Sequence, residues 1–492
     1  MSSQDGPVAW REILNRKYAS RLATMIMAIW LHAANSNLTA TTLPSAVDDI
    51  GGLNLMSWAF ALYLAGSIAA GASSSLLVNR HGIRNTMIRF ALLYMAGCCV
   101  CAAAPTMLVL LGGRVMQGLG GGGLVALVYI AQDRFFPNRF VPRIVAILSM
   151  AWMISSFIGP TLGGAFATWG LWRYAYWTFA FQALILVFAV HHLLGLETSR
   201  IRFEDERIPI VRLLFLGGAI VLVSLAGSEY HPLWSGIFIA SGGVLFVLFV
   251  LRDRRARSDR MLPLEATRPG HAVCAGILAT FLLAMSIMSF VVYAPLILIR
   301  LYELTPFTAG LFVLIESLAW GTAAILFSRT PPARESTLIR TGCVLVFFGL
   351  AGLGFALANG PLWLLVVFLI INNGGFGMMW GFIIRRIVNA APDHEKDRTA
   401  STIPITQQAG FAIGAALAGL IANGLGLTDQ ADAESMRVIA FWLFAGFLPV
   451  AFIGVVSGFR LTAPSGVNQI SRPDQSNRNK SVSWDKRNNS RS

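Results

Sequence analysis

Charge is scarce in this sequence. Asp, Glu, Lys and Arg together make up 13% of its 492 residues, where a soluble domain carries roughly 25%. That shortage, beside 55% hydrophobic residues and a mean hydropathy of +0.64, excludes a soluble enzyme and a disordered chain. Acid is scarcer than base: 24 Asp and Glu face 38 Lys and Arg, for a net charge of +14. A nucleic-acid binder needs a soluble basic face, which so apolar a chain does not offer, so no nucleic-acid partner is expected. Cysteine is also sparse. The five cysteines fall in apolar stretches, which excludes a disulfide scaffold. Cys98, Cys99 and Cys101 form a Cys-Cys-x-Cys cluster of the kind that ligates soft metals, but on a helix the three point in different directions with no His nearby. Packing or lipid-facing residues is the better reading, and no metal site is expected. Missing too are a Ser nucleophile motif, a His/Asp/Glu metal cluster and a phosphate loop. Gly120 to Gly123 follow no strand and lie inside an apolar run, so they cradle no nucleotide. Neither an enzyme nor a bound cofactor is expected.

What is present is a series of long apolar runs. A helix crossing a bilayer needs about 20 mostly apolar residues in a row, and the sequence supplies fourteen such runs: 22–44, 55–78, 86–104, 107–132, 143–168, 173–196, 211–228, 232–251, 271–299, 309–328, 337–358, 361–388, 401–423 and 437–459. Their length and their Leu, Ala, Gly and Phe content without alternation predict helices, hence an all-α polytopic membrane protein. Spans 7 and 8 are short and separated only by the turn at 229–231; a single re-entrant hairpin there would reduce the count to twelve.

The basic residues test this layout. Arg114 alone falls well inside a span, and only Arg173, Arg300 and Arg437 lie on the odd-numbered connections, leaving 34 on the N-terminus, the even connections and the tail. The odd connections carry Asp48, Asp49, Glu303, Asp429, Asp432 and Glu434 instead. Both termini are therefore predicted on the cytoplasmic side, with the first run retained as an anchor rather than cleaved as a signal. Residues 1–21 form a short N-terminal segment, and 460–492, rich in Ser, Asn and Arg, read as a disordered tail. Lys480, Lys486, Arg487 and Arg491 in it are either a solvated topogenic signal, the favoured reading, or a contact for anionic lipid.

Polar groups inside hydrocarbon are expensive and point to function. Arg114 lies about two turns into span 4 and Glu316 about two turns into span 10. Span 1 carries His32, Asn35, Ser36, Asn37, Thr39, Thr41 and Thr42, of which His32, Asn35 or Ser36, and Thr39 share one face. Cavity lining is the favoured reading of that face; interhelical hydrogen bonding is the other. For Glu316 the alternatives are proton coupling and a structural hydrogen bond or a snorkelling side chain; for Arg114, proton coupling and neutralisation of a helix end. In span 4, Gly118 and Gly120 to Gly123 predict close helix approach, and the buried Arg114 and Gln117 then need partners. In span 5, Gly159, Pro160, Gly163 and Gly164 predict a break where a transporter bends. Between spans 2 and 3, Asn79, Arg80, His81, Gly82, Ile83 and Arg84 form a tight basic turn.

On these motifs the chain resembles the major facilitator superfamily, and within it the fourteen-helix drug/proton antiporter branch. R-x-x-Q-G-x-G is present as Arg114, Gln117, Gly118 and Gly120, and the antiporter pattern G-P-x-x-G-G as Gly159, Pro160, Gly163 and Gly164. The loop pattern G-x-L-a-D-R-x-G-r-r is met in part by Ser75, Leu77, Asn79, Arg80, Gly82 and Arg84, with Asn79 where the family has Asp. Gln407, Gln408, Gly410 and Gly414 are similar to the branch's penultimate helix. In span 1, Asn35 stands where the branch usually has an acid.

The resemblance implies two six-helix bundles, 22–196 and 271–459, rocking about a central cavity, with 197–270 as a linker holding the inserted helices 211–228 and 232–251. It implies proton-coupled export of a small amphipathic compound by a monomer in a bacterial inner membrane. Glu316, Arg114 and His32 are the candidate proton-coupling groups. Asn35, Asn37, Thr39, Gln117, Trp152, Trp320, Asn372, Asn373 and Gln407 are candidate cavity residues, with Trp30, Trp58, Tyr63 and Trp380 beside them. Metabolite uptake by the same fold is the second reading. A non-transporting membrane sensor is the third, opposed by the lack of any soluble domain.

Overall fold

The computed structural model describes residue 12 and residues 15–194, 209–228, 232–256, 260–428 and 430–463. Among the described residues every regular element is helical. Helix α1 is Arg16–Ile50. The next helical stretch, Trp58–Ala102, is broken at Gly82, whose φ of 79° suits glycine alone, and so holds two helices, α2 (58–81) and α3 (83–102). There follow α4 (Met107–Phe135), α5 (Val141–Thr168), α6 (Trp172–Leu193), α7 (Ile210–Ser228), α8 (Pro232–Arg255), α9 (Ala272–Tyr302), α10 (Pro306–Phe327), α11 (Glu335–Asn359), α12 (Leu362–Ala390) and α13 (Lys396–Gly424). The last, α14 (433–461), is interrupted at Gly446 and Phe447.

Twelve stretches are long and apolar enough to cross a membrane, and one of them, Leu53–Ala102, contains both α2 and α3. Helix α1 falls outside that group because of its polar face, and adding it gives fourteen helices among the described residues. Helices α7 and α8 are separate, of 19 and 24 residues, rather than one re-entrant hairpin. The turn at 229–231 lies outside the described residues, as do most of the N-terminal segment and the tail from 464. With an even number of helices, both described chain ends lie at one end of the bundle, the terminal face; the other end is the opposite face.

The first six helices pack on one another, α4 against α2 and α3 and α5 against α1; α9 to α14 do the same around α9. Glycine permits the tightest of these approaches. A Cβ at Gly97 would stand 2.7 Å from the Gln117 amide nitrogen, and one at Gly120 would stand 2.5 Å from that of Tyr94. The two groups meet through α5 on α10 and α2 on α13, and α7 lies against both α13 and α2. Helix α8 packs on α7 and leaves Leu233, Trp234, Val244 and Val247 exposed, the surface that lipid tails would cover.

A buried clasp ties the α7–α8 pair to the second group at the terminal face. Asp253, at the end of α8, accepts hydrogen bonds from Arg212 Nη1 (2.7 Å) and from the backbone nitrogens of Met261 and Leu262 (2.8 Å each). The same connection is strapped to the start of α13: Glu395 accepts from Arg260 (2.9 Å) and from the Leu264 nitrogen (3.1 Å), and Thr402 Oγ1 donates to the Met261 carbonyl (2.8 Å). Breaking such a buried pair strands its partner, at a cost of about 3–5 kcal/mol. Asp253→Ala is therefore expected to lower the apparent melting temperature of the detergent-solubilised protein by several degrees; an unchanged melting curve would show that the clasp carries no load.

At the opposite face each of the three arginines on the sparse side is held. Arg173 pairs with Asp49, Arg300 with Asp48 (3.0 Å), and Arg437 donates to the Ala358 carbonyl (3.1 Å). The hydrogen bonds from Arg173 and Trp172 hold the Asp49 carboxyl below its usual range. That tie persists at neutral pH and is lost as pH falls through the lowered value.

Candidate functional site

The polar face of α1 is the starting point. A helix of this length inside hydrocarbon places polar side chains where other helices can satisfy them, and α1 directs His32, Asn35 and Thr39 into the first six-helix group, all three buried. Arg114 on α4 is fully buried there too. Its Nη1 donates to Asn35 Oδ1 and to Gln117 Oε1, each at 2.7 Å, and its Nε to the Ala59 carbonyl at 3.0 Å. The guanidinium stands over the Tyr63 ring, 4.1 Å from its centroid. No carboxylate pairs with it among the described residues, and Nη2 has no hydrogen-bond partner. Gln117 in turn donates to Cys98 Sγ at 3.2 Å, so Cys98 is part of this cluster rather than lipid-facing. The arginine thus joins α1, α2 and α4 through neutral groups, a consequence of Asn rather than an acid at position 35.

The structure places Asn35, Thr39 and Gln117 inside the helix group and not on the cavity wall, because each finds its hydrogen bonds there; Thr39 Oγ1 donates to the Asn35 carbonyl at 2.9 Å. Asn37 is half-buried and reaches Ser156 on α5 at 3.4 Å. Asn372 donates to the Val346 carbonyl at 2.8 Å and so fastens α12 to α11, while Asn373 donates within its own helix. Gln407 is half-buried and lies outside the cavity lining. Trp30 donates to Gln182 and Trp58 to Ser228, at 2.6 and 2.9 Å. These are interhelical fastenings.

Trp152 and Trp320 do line a cavity. It measures about 590 Å³ and lies between α5 on one wall and α10 and α12 on the other, with Met150, Met153, Met378 and Trp380 among its lining and Arg385 at one edge. Arg385 is itself paired with Glu335. The lining residues occupy the starts of α5 and the ends of α10 and α12, so the cavity lies toward the terminal face. The volume suits a drug-sized molecule, and an aromatic and thioether wall with few charges suits an apolar or amphipathic one.

Glu316 lies three turns into α10, one turn from Trp320, and is buried with no partner for Oε2. It is the one acidic residue in the middle of a helix crossing among the described residues. Gly377 on α12 packs against the Trp320 backbone, and the parallel run of α10 and α12 puts Asn373 level with Glu316. His32 is in the other group: its Nδ1 is 2.9 Å from the Tyr63 hydroxyl, and its ring packs edgewise on Trp152 at 5.8 Å between centroids.

Of the span 5 glycines, Gly159 and Gly163 pack within the first group and Gly164 marks the contact between the groups. Cβ atoms at Gly159 and Gly163 would each stand 2.7 Å from a carbonyl of α1, Ala34 and Leu38 in turn; one at Gly164 would stand 2.8 Å from the Phe307 Cα on α10. The Pro160 carbonyl accepts from Thr41 Oγ1 (3.2 Å), and the Phe307 nitrogen donates to Thr168 Oγ1 (3.0 Å). With Arg300 on Asp48, and with Asn423 donating to the carbonyls of Asn54 (2.8 Å) and Gly227 (2.7 Å), the opposite face is closed. The 2–3 turn is held as well: Asn79 Oδ1 accepts from Arg134 at 3.5 Å, and Arg84 meets His191 at 3.1 Å. Arg80 is exposed. The three methionines carried no signal in the sequence, since an apolar side chain reads alike whether it meets lipid, a neighbour or a cavity, and Asn423 ends span 13, where a polar side chain is ordinary.

Known proteins are similar over most of the length. The model of the Major Facilitator Superfamily matches residues 25–212 and 206–403. A protein of Mycobacterium tuberculosis named a probable multidrug-efflux transporter is 28% identical over 469 residues, covering 92% of this chain and 96% of its own. A multidrug efflux pump of Staphylococcus aureus is 25% identical over 413 residues, 81% of this chain and 88% of its own. Among solved structures, a D-xylose–proton symporter superposes with a TM-score of 0.64 at 15% identity, over 90% of this chain and 97% of that one. A POT family transporter in complex with a peptide conjugate gives 0.65 at 14%, over 90% and 96%. At those identities the solved structures speak for the fold.

Proposed function

The chain belongs to the major facilitator superfamily, a multi-pass membrane protein, and from that premise we propose that it is a proton-coupled exporter of a small amphipathic organic compound. The observation that carries this reading is the pairing of a 590 Å³ aromatic cavity toward the terminal face with an opposite face closed where Gly164 and Thr168 meet Phe307. The basic terminal face is cytoplasmic under the positive-inside rule, so the cavity loads from the cytoplasm of a bacterial cell. Helices α1–α6 and α9–α14 rock about it as two bundles, with α7 and α8 as the insertion of the fourteen-helix branch. The names of the two bacterial relatives, both efflux proteins of similar length, support export over uptake.

Glu316 is the coupling carboxyl in this reading. An ionised carboxylate without a partner is costly in hydrocarbon, so charge on Glu316 is tolerated only when the cavity is hydrated or occupied. Monomeric protein suffices, since cavity and carboxyl lie in one chain. The test uses proteoliposomes with an acidic lumen and ethidium outside. Ethidium accumulation together with alkalinisation of the lumen is expected, and both are abolished by nigericin. Ethidium movement that ignores the pH gradient would overturn proton coupling.

A further inference from the structure

A second titratable group lies close to the cavity and is left unused by that cycle. His32 is 4% exposed and packs edgewise on Trp152, which lines the cavity. The Tyr63 hydroxyl stands 2.9 Å from His32 Nδ1 and 3.0 Å from the carbonyl oxygen of the same residue. One hydroxyl therefore has two acceptors within reach, and only one proton to give.

We propose that His32 and Tyr63 form a second proton site, in the N-terminal helix group, separate from Glu316. With the imidazole neutral and its proton on Nε2, the Tyr63 O–H donates to Nδ1. When a proton arrives on Nδ1, the new N–H donates to Tyr63 Oη, and the phenol turns its own O–H to the His32 carbonyl. The Tyr63 hydroxyl and His32 Nδ1 are each hydrogen-bonded in both states, and the change needs one hydroxyl rotation rather than a helix movement. Release of the proton from Nδ1 reverses it.

The surrounding helices are built to leave this exchange free. On α4, a Cβ at Gly121 would stand 2.8 Å from His32 Nδ1 and 3.3 Å from the Tyr63 hydroxyl, so the glycine run makes room for the pair. On α3, Tyr94 spends its hydroxyl on the Leu31 carbonyl at 2.7 Å. On α5 the neighbour is Trp152, and on α6 Gln182 is taken by Trp30. Among the described residues the one charged group facing the pair is Arg114, across the Tyr63 ring. A proton on His32 is thereby sensed by the arginine that joins α1 to α4 through Asn35 and Gln117.

The proposal rests on the transporter reading for its purpose, but its test does not need transport. Full-length protein in detergent is titrated with acid from pH 9 to pH 3, and protons taken up per molecule are counted. His32→Gln is expected to take up about one proton fewer than wild type. Glu316→Gln leaves that deficit in place, and the double variant loses both. Tyr63→Phe, which keeps the imidazole and removes the shared hydroxyl, moves the histidine step by about one pH unit, a tenfold change. A His32→Gln titration superimposable on wild type, or a Tyr63→Phe step that does not move, overturns the proposal. If His32→Gln fails to fold, tryptophan fluorescence gives the answer, because an imidazolium beside Trp152 quenches its emission. The acid quench of wild type should be reduced in Trp152→Phe, and an identical quench in both sinks the idea. Failure of ethidium transport with an intact histidine step would strike the exporter reading alone.

Discussion

Glu316→Gln loses pH-gradient-driven ethidium flux by at least about tenfold, while membrane insertion and helix content are unchanged. The amide copies the shape of the protonated acid and cannot release a proton, so a cycle that needs ionisation stops. Exchange of ethidium across vesicles at equal pH should continue, because that partial reaction moves the bundles without a net proton. Glu316→Asp, with a carboxyl one methylene shorter, should recover part of the driven flux. Driven flux at the wild-type rate in Glu316→Gln removes this residue from coupling. Loss of exchange as well as driven flux would mark a structural residue, since Oε2 has no partner whose loss could explain a selective defect.

Gly164→Leu acts on the other half of the cycle. A Cβ there meets backbone atoms of Pro306 and Phe307 at 2.8 Å, and backbone cannot turn aside as a side chain can. Overpacking of this kind costs about 1–3 kcal/mol, charged only to the state in which α5 and α10 touch at the opposite face. The equilibrium then moves toward opposite-face opening by roughly 5- to 150-fold. Spin labels at Ser149 and Ser328, which lie on facing walls of the cavity, should report a shorter distance in Gly164→Leu than in the parent, with net export reduced by a similar factor. An unchanged distance distribution would show that the glycine serves helix packing alone. Gly163→Leu is a useful contrast, because its neighbours are on α1 in the same bundle, and it should impair folding rather than shift the distance.

Much of this was legible in the sequence, for a physical reason: hydrocarbon allows so few backbone solutions that long apolar runs become helices almost without exception. The runs at 211–228 and 232–251, ambiguous by length, are two helices. Arg114 and Gln117, three apart on one helix, were expected to need partners and bond to each other. That Asn35 on α1 completes the set is a tertiary fact, 79 residues distant. Periodicity gives the face of a helix but not its neighbour. Asn372 is polar at mid-span and suggested a cavity wall, yet the adjacent helix comes so close at Gly349 that the amide reaches the Val346 carbonyl. Conversely Met150, Met153 and Met378 line the cavity and look in sequence like any lipid-facing methionine. The Asp253 clasp was invisible because its partners come from both ends of a helical hairpin and from the connection beyond it.

That clasp changes how the moving parts are divided. Arg212, Asp253 and Glu395 fix α7, α8 and their connection to the start of α13, while α7 meets the first bundle through contacts that include the Trp58–Ser228 bond and its packing on α2. On the proposed cycle the molecule therefore parts six helices against eight. The larger body displaces more lipid for the same angle, so the smaller one does most of the turning in the frame of the bilayer. Export rate should then depend on the viscosity and lateral pressure of the membrane around α1–α6 more than on the side shielded by α8.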